Sequence, residues 1–180
     1  YNILNSIDWV AAERVYAPWN DMADWLSAND QPLCSLETGR SLAEFDILGF
    51  TLQYELSYTN LLGMMGLAGI PLKPERRRDD APLIVVGGPC AFNPEPLAEF
   101  VDVALIGDGE EAVVELVELV RQGKTAGWSR IRLLEELSSR EGFYVPRFFQ
   151  VDYRDNGEIS AIRSLRNDDR KSRNIQCFLV

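Results

Sequence analysis

Short apolar runs separated by amphipathic stretches make up the middle of the chain. The runs 45–52 (FDILGFTL), 83–86 (LIVV) and 103–106 (VALI) are almost entirely apolar. Runs of this length and composition are typical of strands that are buried on both faces of a parallel sheet. The pattern therefore predicts three neighbouring strands of one buried sheet. Two weaker strand patterns, at 14–17 and 33–36, precede them.

Helices are predicted around and between these strands. They cover residues 19–28, 57–68, 96–100, 110–121 and 131–139, and residues 3–7 have the pattern of a helix end. The strongest signal lies at 110–121, where apolar residues recur at helical spacing. Asp108 can cap this helix in a capping box with Glu111, and Ser57 can cap the helix at 57–68. Strands and helices thus alternate along the chain.

This alternation predicts an α/β fold of Rossmann-like type, with a mostly parallel sheet and helices on both of its faces. The Rossmann-like domain is expected to span residues 1–145. At its end the pattern changes to a period of two at 149–153 and 158–165, on either side of a turn. Such a pattern predicts an antiparallel β-hairpin, which forms an extension at 146–166. Residues 167–180 are expected to be a polar tail.

The charge of the chain narrows the range of partners. The net charge is −10 and the sequence pI is about 4.5. An acidic surface repels phosphate backbones, so general nucleic-acid binding is not expected. The basic run at 76–78 is followed at once by Asp79 and Asp80, which predicts a solvated loop. No signal peptide and no apolar run near 18 residues is present, so no membrane association is expected.

Cysteine and histidine usage limits the chemistry. The three cysteines lie far apart, at Cys34, Cys90 and Cys177, and the chain has no histidine. Such spacing gives neither a zinc site nor an iron–sulfur motif, and sparse cysteines suit a reducing, cytoplasmic location. The absence of histidine excludes histidine-dependent triads and cobalamin ligation through a histidine of this segment.

The carboxyl ends of the predicted strands are where a ligand is expected. Parallel strands in an open α/β sheet place their exits along one edge, and ligands bind in the crevice there. The residues expected to face this cleft are Thr51, Gln53, Tyr54, Gly87, Gly88, Pro89, Gly107, Asp108 and Gly109.

Each of these loops also has a purely structural explanation. Gly87 and Gly88 allow a ligand to approach the backbone, or simply a sharp turn out of a buried strand. Asp108 either accepts hydrogen bonds from a ligand or only caps its helix. Phosphate is not expected there, because Glu110 and Glu111 add negative charge at the same helix start.

Five phrases, taken together and in order, resemble a known family. They are ERVYAPW at 13–19, SLETGR at 35–40, FDILGFTLQYELSYTNLL at 45–62, GGPCAFNPEPLAEF at 87–100 and IGDGEEA at 106–112. The sequence from about residue 1 to 165 is similar to the amino-terminal, cobalamin-binding-like region of bacterial radical SAM proteins. The resemblance implies the same Rossmann-like fold, and it places the first strand of that fold upstream of Tyr1.

The resemblance also implies the cofactors and partner of the whole protein. A radical SAM barrel is expected downstream in the same polypeptide, where a CxxxCxxC motif holds a [4Fe–4S] cluster that binds S-adenosylmethionine. Cobalamin is a candidate ligand of the amino-terminal domain itself. The nine cleft residues match the strand-end positions of the family, none has a catalytic role, and the segment alone is expected to be catalytically silent. No metal ligand is predicted within it.

Three functions stay open at this point. The first is a module that positions a cofactor or substrate for the radical SAM barrel, since the cofactor performs the difficult chemistry. The second is a docking or scaffold module that no longer binds cobalamin. The third is a phosphoacceptor receiver domain, which needs aspartates at strand exits. Asp46 lies instead at a strand start, and only Asp108 is suitably placed.

Overall fold

The computed structural model describes residues 1–166. The helices are α1 (Asn2–Asn5), α2 (Asn20–Ala28), α3 (Ser57–Leu67), α4 (Gly109–Ala126) and α5 (Arg130–Ser138). The strands are β1 (Ile47–Thr51), β2 (Leu83–Gly87), β3 (Val103–Leu105), β4 (Phe143–Tyr144), β5 (Phe149–Tyr153) and β6 (Ile159–Ser164). Short 3-10 helices lie at Leu42–Glu44, Pro74–Arg76, Pro89–Phe92, Glu95–Leu97 and Pro146–Phe148.

The first four strands form one sheet in the order β1-β2-β3-β4. Strands β1 and β2 are parallel, with Ile47 opposite Leu83, and β2 and β3 are parallel, with Val85 opposite Val103. The fourth strand runs antiparallel to β3. The prediction that LIVV and VALI are adjacent and run in the same direction is therefore confirmed, as is the mostly parallel α/β class.

Both faces of the sheet are covered by helices and loops. Successive residues of a strand point to opposite faces, and here the residues on both faces are apolar. On the first face, Leu48, Ile84 and Val86 pack against α2, α3 and the connection between β2 and β3. On the second face, Leu83 and Val85 pack against α4 and α5. Helices lie on both faces, as the alternating pattern predicts.

A buried ionic cluster lies at the amino end of the sheet. Asp102 immediately precedes β3, and its Oδ2 accepts hydrogen bonds from Arg77 Nη1 at 2.8 Å, Arg130 Nη2 at 2.7 Å and the backbone N–H of Ile84 at 2.8 Å. The two guanidinium groups also donate to backbone carbonyls, among them those of Pro71 and Ala81. The side chain of Arg77 is fully buried. The prediction that the basic run at 76–78 is a solvated loop is therefore wrong for its central residue.

The β-hairpin forms as predicted and attaches to the domain at its base. Strands β5 and β6 pair antiparallel. The ring of Phe149 stacks on Tyr144 with 4.8 Å between the ring centroids. Arg166 Nη1 donates to the carbonyl of Glu135 at 3.1 Å. The predicted polar tail at 167–180 lies outside the described residues.

Two predicted strands are absent. Within the described residues, 14–17 belong to no sheet, and 33–36 form only an isolated bridge between Cys34 and Ser41. The two segments share one backbone hydrogen bond, from the N–H of Leu36 to the carbonyl of Arg14 at 2.9 Å, whereas a strand pair needs a ladder of such bonds. The structure also contains β4, which the apolar pattern does not predict because it is only two residues long.

Several helix ends differ from the predictions. Leu56 and not Ser57 is the N-cap of α3, and the Ser57 hydroxyl donates instead to the carbonyl of Tyr54 at 2.6 Å. Asp108 is the N-cap of α4, yet its side chain makes no capping hydrogen bond and the capping box with Glu111 does not form. The helix predicted at 96–100 is a single 3-10 turn, Glu95–Leu97.

Candidate functional site

The exits of β1 and β2 are joined by backbone hydrogen bonds. Thr51 lies opposite Gly87 in the parallel register. The N–H of Leu52 donates to the carbonyl of Gly87 at 2.7 Å, and the N–H of Cys90 donates to the carbonyl of Leu52 at 3.0 Å. The predicted cleft residues of these two loops therefore lie side by side at the carboxyl edge of the sheet.

Gly88 is required by the close approach of these two loops. Its φ of +94° is a conformation that L side chains rarely adopt. A Cβ at this position would lie 3.0 Å from the carbonyl oxygen of Leu52 and 3.2 Å from its nitrogen. Packing alone therefore accounts for this glycine. At Gly87, in contrast, an added Cβ would meet only the Cβ of Leu105, at 3.9 Å.

The third loop follows β3 and lies next along the same edge. Gly107 has a φ of +113° and leads directly into α4, whose first turn carries Glu110 and Glu111. The N–H of Ile106 donates to the carbonyl of Gly142, which ties this exit to the start of β4. The acidic helix start disfavours phosphate, as the sequence indicates.

All nine predicted residues lie along this edge, which is open to solvent. Each is exposed except the partly buried Gly87. Large apolar side chains share the edge: Leu56 is 79% exposed, Phe92 is 61% exposed and Tyr54 is 54% exposed. The edge is therefore an open surface of glycine-bearing backbone and apolar side chains.

Three titratable side chains beside these loops, Glu55, Tyr58 and Cys90, are not identified as a group by the sequence analysis. The hydroxyl of Tyr58 donates to the carbonyl of Cys90 at 3.3 Å. Burial raises the pKa of Tyr58, with smaller contributions from Cys90 and from the negative charge of Glu55. Desolvation, followed by the charge of Glu55, raises the pKa of the Cys90 thiol. Both causes disfavour the thiolate of Cys90, which is the opposite of what activates a nucleophilic cysteine.

Glu95 also acquires a partner that the sequence does not indicate. The hydroxyl of Tyr144 donates a hydrogen bond to Glu95 Oε1, across 49 residues of sequence. Asp46, in contrast, lies at the amino end of β1 as expected, where Lys124 Nζ pairs with its Oδ1 at 2.7 Å. Asp46 and Asp108 therefore lie at opposite ends of the parallel sheet and do not form the acidic cluster of a receiver domain.

The described residues were also compared with the requirements of a buried cavity, a metal site and a membrane span. A cavity of about 180 Å³ at the amino end is lined by Glu75, Asp102 and Arg147, among others. Within residues 1–166, no cluster of three or more histidine, cysteine or acidic side chains could hold a metal. In the same residues, no helix is both long enough and apolar enough to cross a membrane.

Comparison with known proteins yields one match. The family described as "Radical SAM proteins, N-terminal" matches residues 1–146, which include the whole four-stranded sheet. Neither a search of curated proteins nor a search of solved structures found a match. The matched residues include all five phrases, which lie within 13–112, and the match ends just before the hairpin. The chain therefore belongs to the family of N-terminal domains of radical SAM proteins.

Proposed function

We propose that this domain positions a cofactor or substrate at the carboxyl edge of its sheet for the radical SAM domain that follows it. The observation that carries this proposal is the convergence of three parallel strand exits on one exposed edge. Backbone at these exits is exposed at Gly88 and Gly107, so a ligand has direct access to it. At the opposite end of the sheet, the buried charges are paired with one another. Ligand sites of open α/β sheets lie at the carboxyl end.

A corrinoid such as cobalamin is the proposed ligand. Its macrocycle is broad and carries amide side chains, so it needs an open surface with flat apolar groups and hydrogen-bonding groups. Tyr54 and Phe92 offer apolar rings, whereas Thr51 and Gln53 offer a hydroxyl and an amide. The sequence has no histidine that could coordinate the cobalt of cobalamin. Bound cobalamin would supply organometallic or redox chemistry, and the residues of this chain would bind and orient it.

The experiment is a titration of the intact radical SAM protein with hydroxocobalamin, followed by its visible spectrum and by equilibrium dialysis. We expect a shifted spectrum and saturable binding. The double variant Gln53→Ala, Tyr54→Ala should raise the Kd about tenfold, since loss of a hydrogen bond and an apolar contact costs about 1–2 kcal/mol. The matched control is Gln122→Ala, Tyr153→Ala, which removes the same side chains from exposed positions elsewhere. Equal Kd values for the two double variants would place the ligand away from this edge.

A docking module without cobalamin is the second candidate. Leu56 and Phe92 are large, apolar and mostly exposed on the same edge, which is typical of a protein contact. If the intact protein binds no cobalamin, Leu56→Asp and Phe92→Asp should weaken the contact with the following domain. Limited proteolysis between the two domains would then become faster than in the unmodified protein. Unchanged proteolysis would exclude this edge as the contact.

A further inference from the structure

The cavity of about 180 Å³ lies at the amino end of the sheet, beside Asp102 and away from the strand exits. Four segments of the chain form it: the 3-10 helix Pro74–Arg76, the connection from β2 to β3, helix α5 and the 3-10 helix Pro146–Phe148. Pockets that hold drug-sized ligands measure about 300–1,000 Å³. The volume of this cavity therefore suits a smaller organic molecule.

Most of the wall of this cavity is apolar. The side chains that form it are Pro74, Ala98, Val101 and Leu134. Val101 belongs to the core on the first face of the sheet and Leu134 to the core on the second, so the packed interior fixes their positions. A wall of this kind holds the apolar part of a ligand, and the few polar groups in it determine which ligand binds.

Two opposite charges line the cavity without pairing with each other. Arg147 and Glu75 are both exposed. Within residues 1–166, the guanidinium of Arg147 has no hydrogen bond, ion pair or ring contact, and the carboxylate of Glu75 accepts no hydrogen bond and forms no ion pair. Every other arginine in these residues except Arg76 has such a partner. A cation and an anion are thus both available to a ligand in one small cavity.

The buried cluster beside the cavity adds positive charge. Asp102 lines the cavity, is 3% exposed and pairs with both Arg77 and Arg130. One carboxylate against two guanidinium groups leaves this cluster with a net positive charge. A negative group in the cavity is therefore attracted by the cluster and by Arg147, whereas a positive group is attracted by Glu75.

The other charges near Glu75 belong to a neighbouring open groove. Lys73, Arg76 and Glu99 line that groove together with Glu75, and Lys73 pairs there with Glu99. None of these three residues lines the cavity itself. Arg147 and Glu75 are therefore the two exposed charges that a ligand in the cavity meets.

We infer that this cavity binds a free α-amino acid with a small aliphatic side chain. The carboxylate of the ligand accepts hydrogen bonds from Arg147, whose guanidinium can bind both oxygens at once. Its ammonium group donates to Glu75, and its side chain contacts the apolar wall. A simple anion would be repelled by Glu75, and a simple amine would leave Arg147 without a partner. The site does not depend on the proposed function, because it lies at the opposite end of the sheet.

Isothermal titration calorimetry of the intact radical SAM protein with three matched probes tests this inference. L-Valine carries both charges, isovalerate lacks the ammonium group and isobutylamine lacks the carboxylate. We expect saturable binding of L-valine and at least roughly tenfold weaker binding of the other two, since each loses one charge-assisted contact. Isovalerate or isobutylamine that binds as tightly as L-valine would overturn the inference. So would the lack of saturable L-valine binding at millimolar concentrations.

Charge-neutral variants locate the binding. Arg147→Gln and Glu75→Gln should each raise the Kd of L-valine at least roughly tenfold. Their Tm should stay unchanged, because neither side chain has an ion pair to lose. The matched controls, Arg154→Gln and Glu158→Gln, remove exposed charges from the hairpin and should leave the Kd unchanged. An unchanged Kd in Arg147→Gln and Glu75→Gln would place the amino acid elsewhere in the protein and overturn the inference.

A variant that fills the cavity gives an independent test. Ala98→Leu adds apolar volume to the wall and leaves both charges in place. It should abolish the binding of L-valine, whereas circular dichroism should show an unchanged fold. L-Valine affinity equal to that of the unmodified protein would overturn the inference, whatever the outcome of the cobalamin titration.

Discussion

The two ends of the sheet are built in contrasting ways. At the amino end, Asp102, Arg77 and Arg130 form a buried cluster in which every charge has several partners. At the carboxyl end, the loops after β1, β2 and β3 are exposed, and they are held by backbone hydrogen bonds and by the tight packing of Gly88. One end fixes the relative positions of the strands, and the other presents the backbone to solvent.

This difference separates the residues that hold the fold from those that form the exposed edge. A framework that is held at one end allows the loops at the other end to serve a ligand without loss of the fold. Substitutions in the buried cluster at the amino end should therefore lower the free energy of unfolding, and those at the carboxyl end should mainly change the ligand binding proposed above. Gly88 is the exception, since it lies at the exposed edge but has a structural role.

The largest effect is expected for Asp102→Ala. The variant leaves two buried guanidinium groups without a counter-charge and the N–H of Ile84 without its acceptor. Breaking a buried ion pair by removing one partner costs about 3–5 kcal/mol. Urea denaturation followed by circular dichroism measures this loss.

The matched control is Asp80→Ala, which removes an exposed carboxylate paired with Arg78 at 3.1 Å. Exposed pairs contribute about 0–1 kcal/mol. Similar losses for the two variants would show that the amino end is not the stabilising end of the sheet.

A smaller loss is expected for Gly88→Ala. The new Cβ would be forced to within 3.0 Å of the carbonyl oxygen of Leu52, in a backbone conformation unfavourable to alanine. Strain of this kind costs about 1–3 kcal/mol. The comparison variant, Gly109→Ala, lies at the same edge, has an ordinary φ and meets no atom within 4 Å. Thermal unfolding of both variants should separate them, and an unchanged Tm for Gly88→Ala would remove the structural explanation of this glycine.

The smallest effect concerns the thiol of Cys90. Its pKa is raised by desolvation and by Glu55, so the rate of alkylation by iodoacetamide should reach half its maximum at a higher pH in the folded protein than in urea. The measurement uses a variant with Cys34→Ala and Cys177→Ala, so that only one thiol reacts. Glu55→Gln should move the folded midpoint part of the way down. A folded midpoint at or below that in urea would indicate an activated thiolate and a chemical role for this edge.

The central strands are predictable because their patterns are local. LIVV and VALI are apolar on both faces. The apolar residues at helical spacing in 110–121 predict that α4 packs one face on the core. Adjacency and direction then follow from general rules of chain connection. The nine residues at the strand exits lie at one edge for the same reason, although their ligand stays a prediction.

The ionic cluster is not predictable in this way, since its members are far apart in sequence. Arg77 lies in a run of three arginines followed by two aspartates, which is typical of a solvated loop. Only the tertiary fold brings it to Asp102, 25 residues away. A single aspartate directly before the apolar run at 103–106 is the one local signal that could have drawn attention to this position.

The strand pattern at 14–17 illustrates the opposite case. Val15 and Tyr16 favour a strand, yet residues 14–17 form none within 1–166. Strand preference is local, whereas membership of a sheet depends on a neighbouring strand.

The cluster around Asp102 also has a consequence for how the domain comes apart. Its donors belong to the segment before β2, to β2 itself and to the first turn of α5, at separations of 25, 18 and 28 residues. If one segment leaves, the remaining buried charges lose a partner, at a cost of several kcal/mol. Fraying of one segment is thereby penalised by the other two, so the three behave as a single cooperative unit.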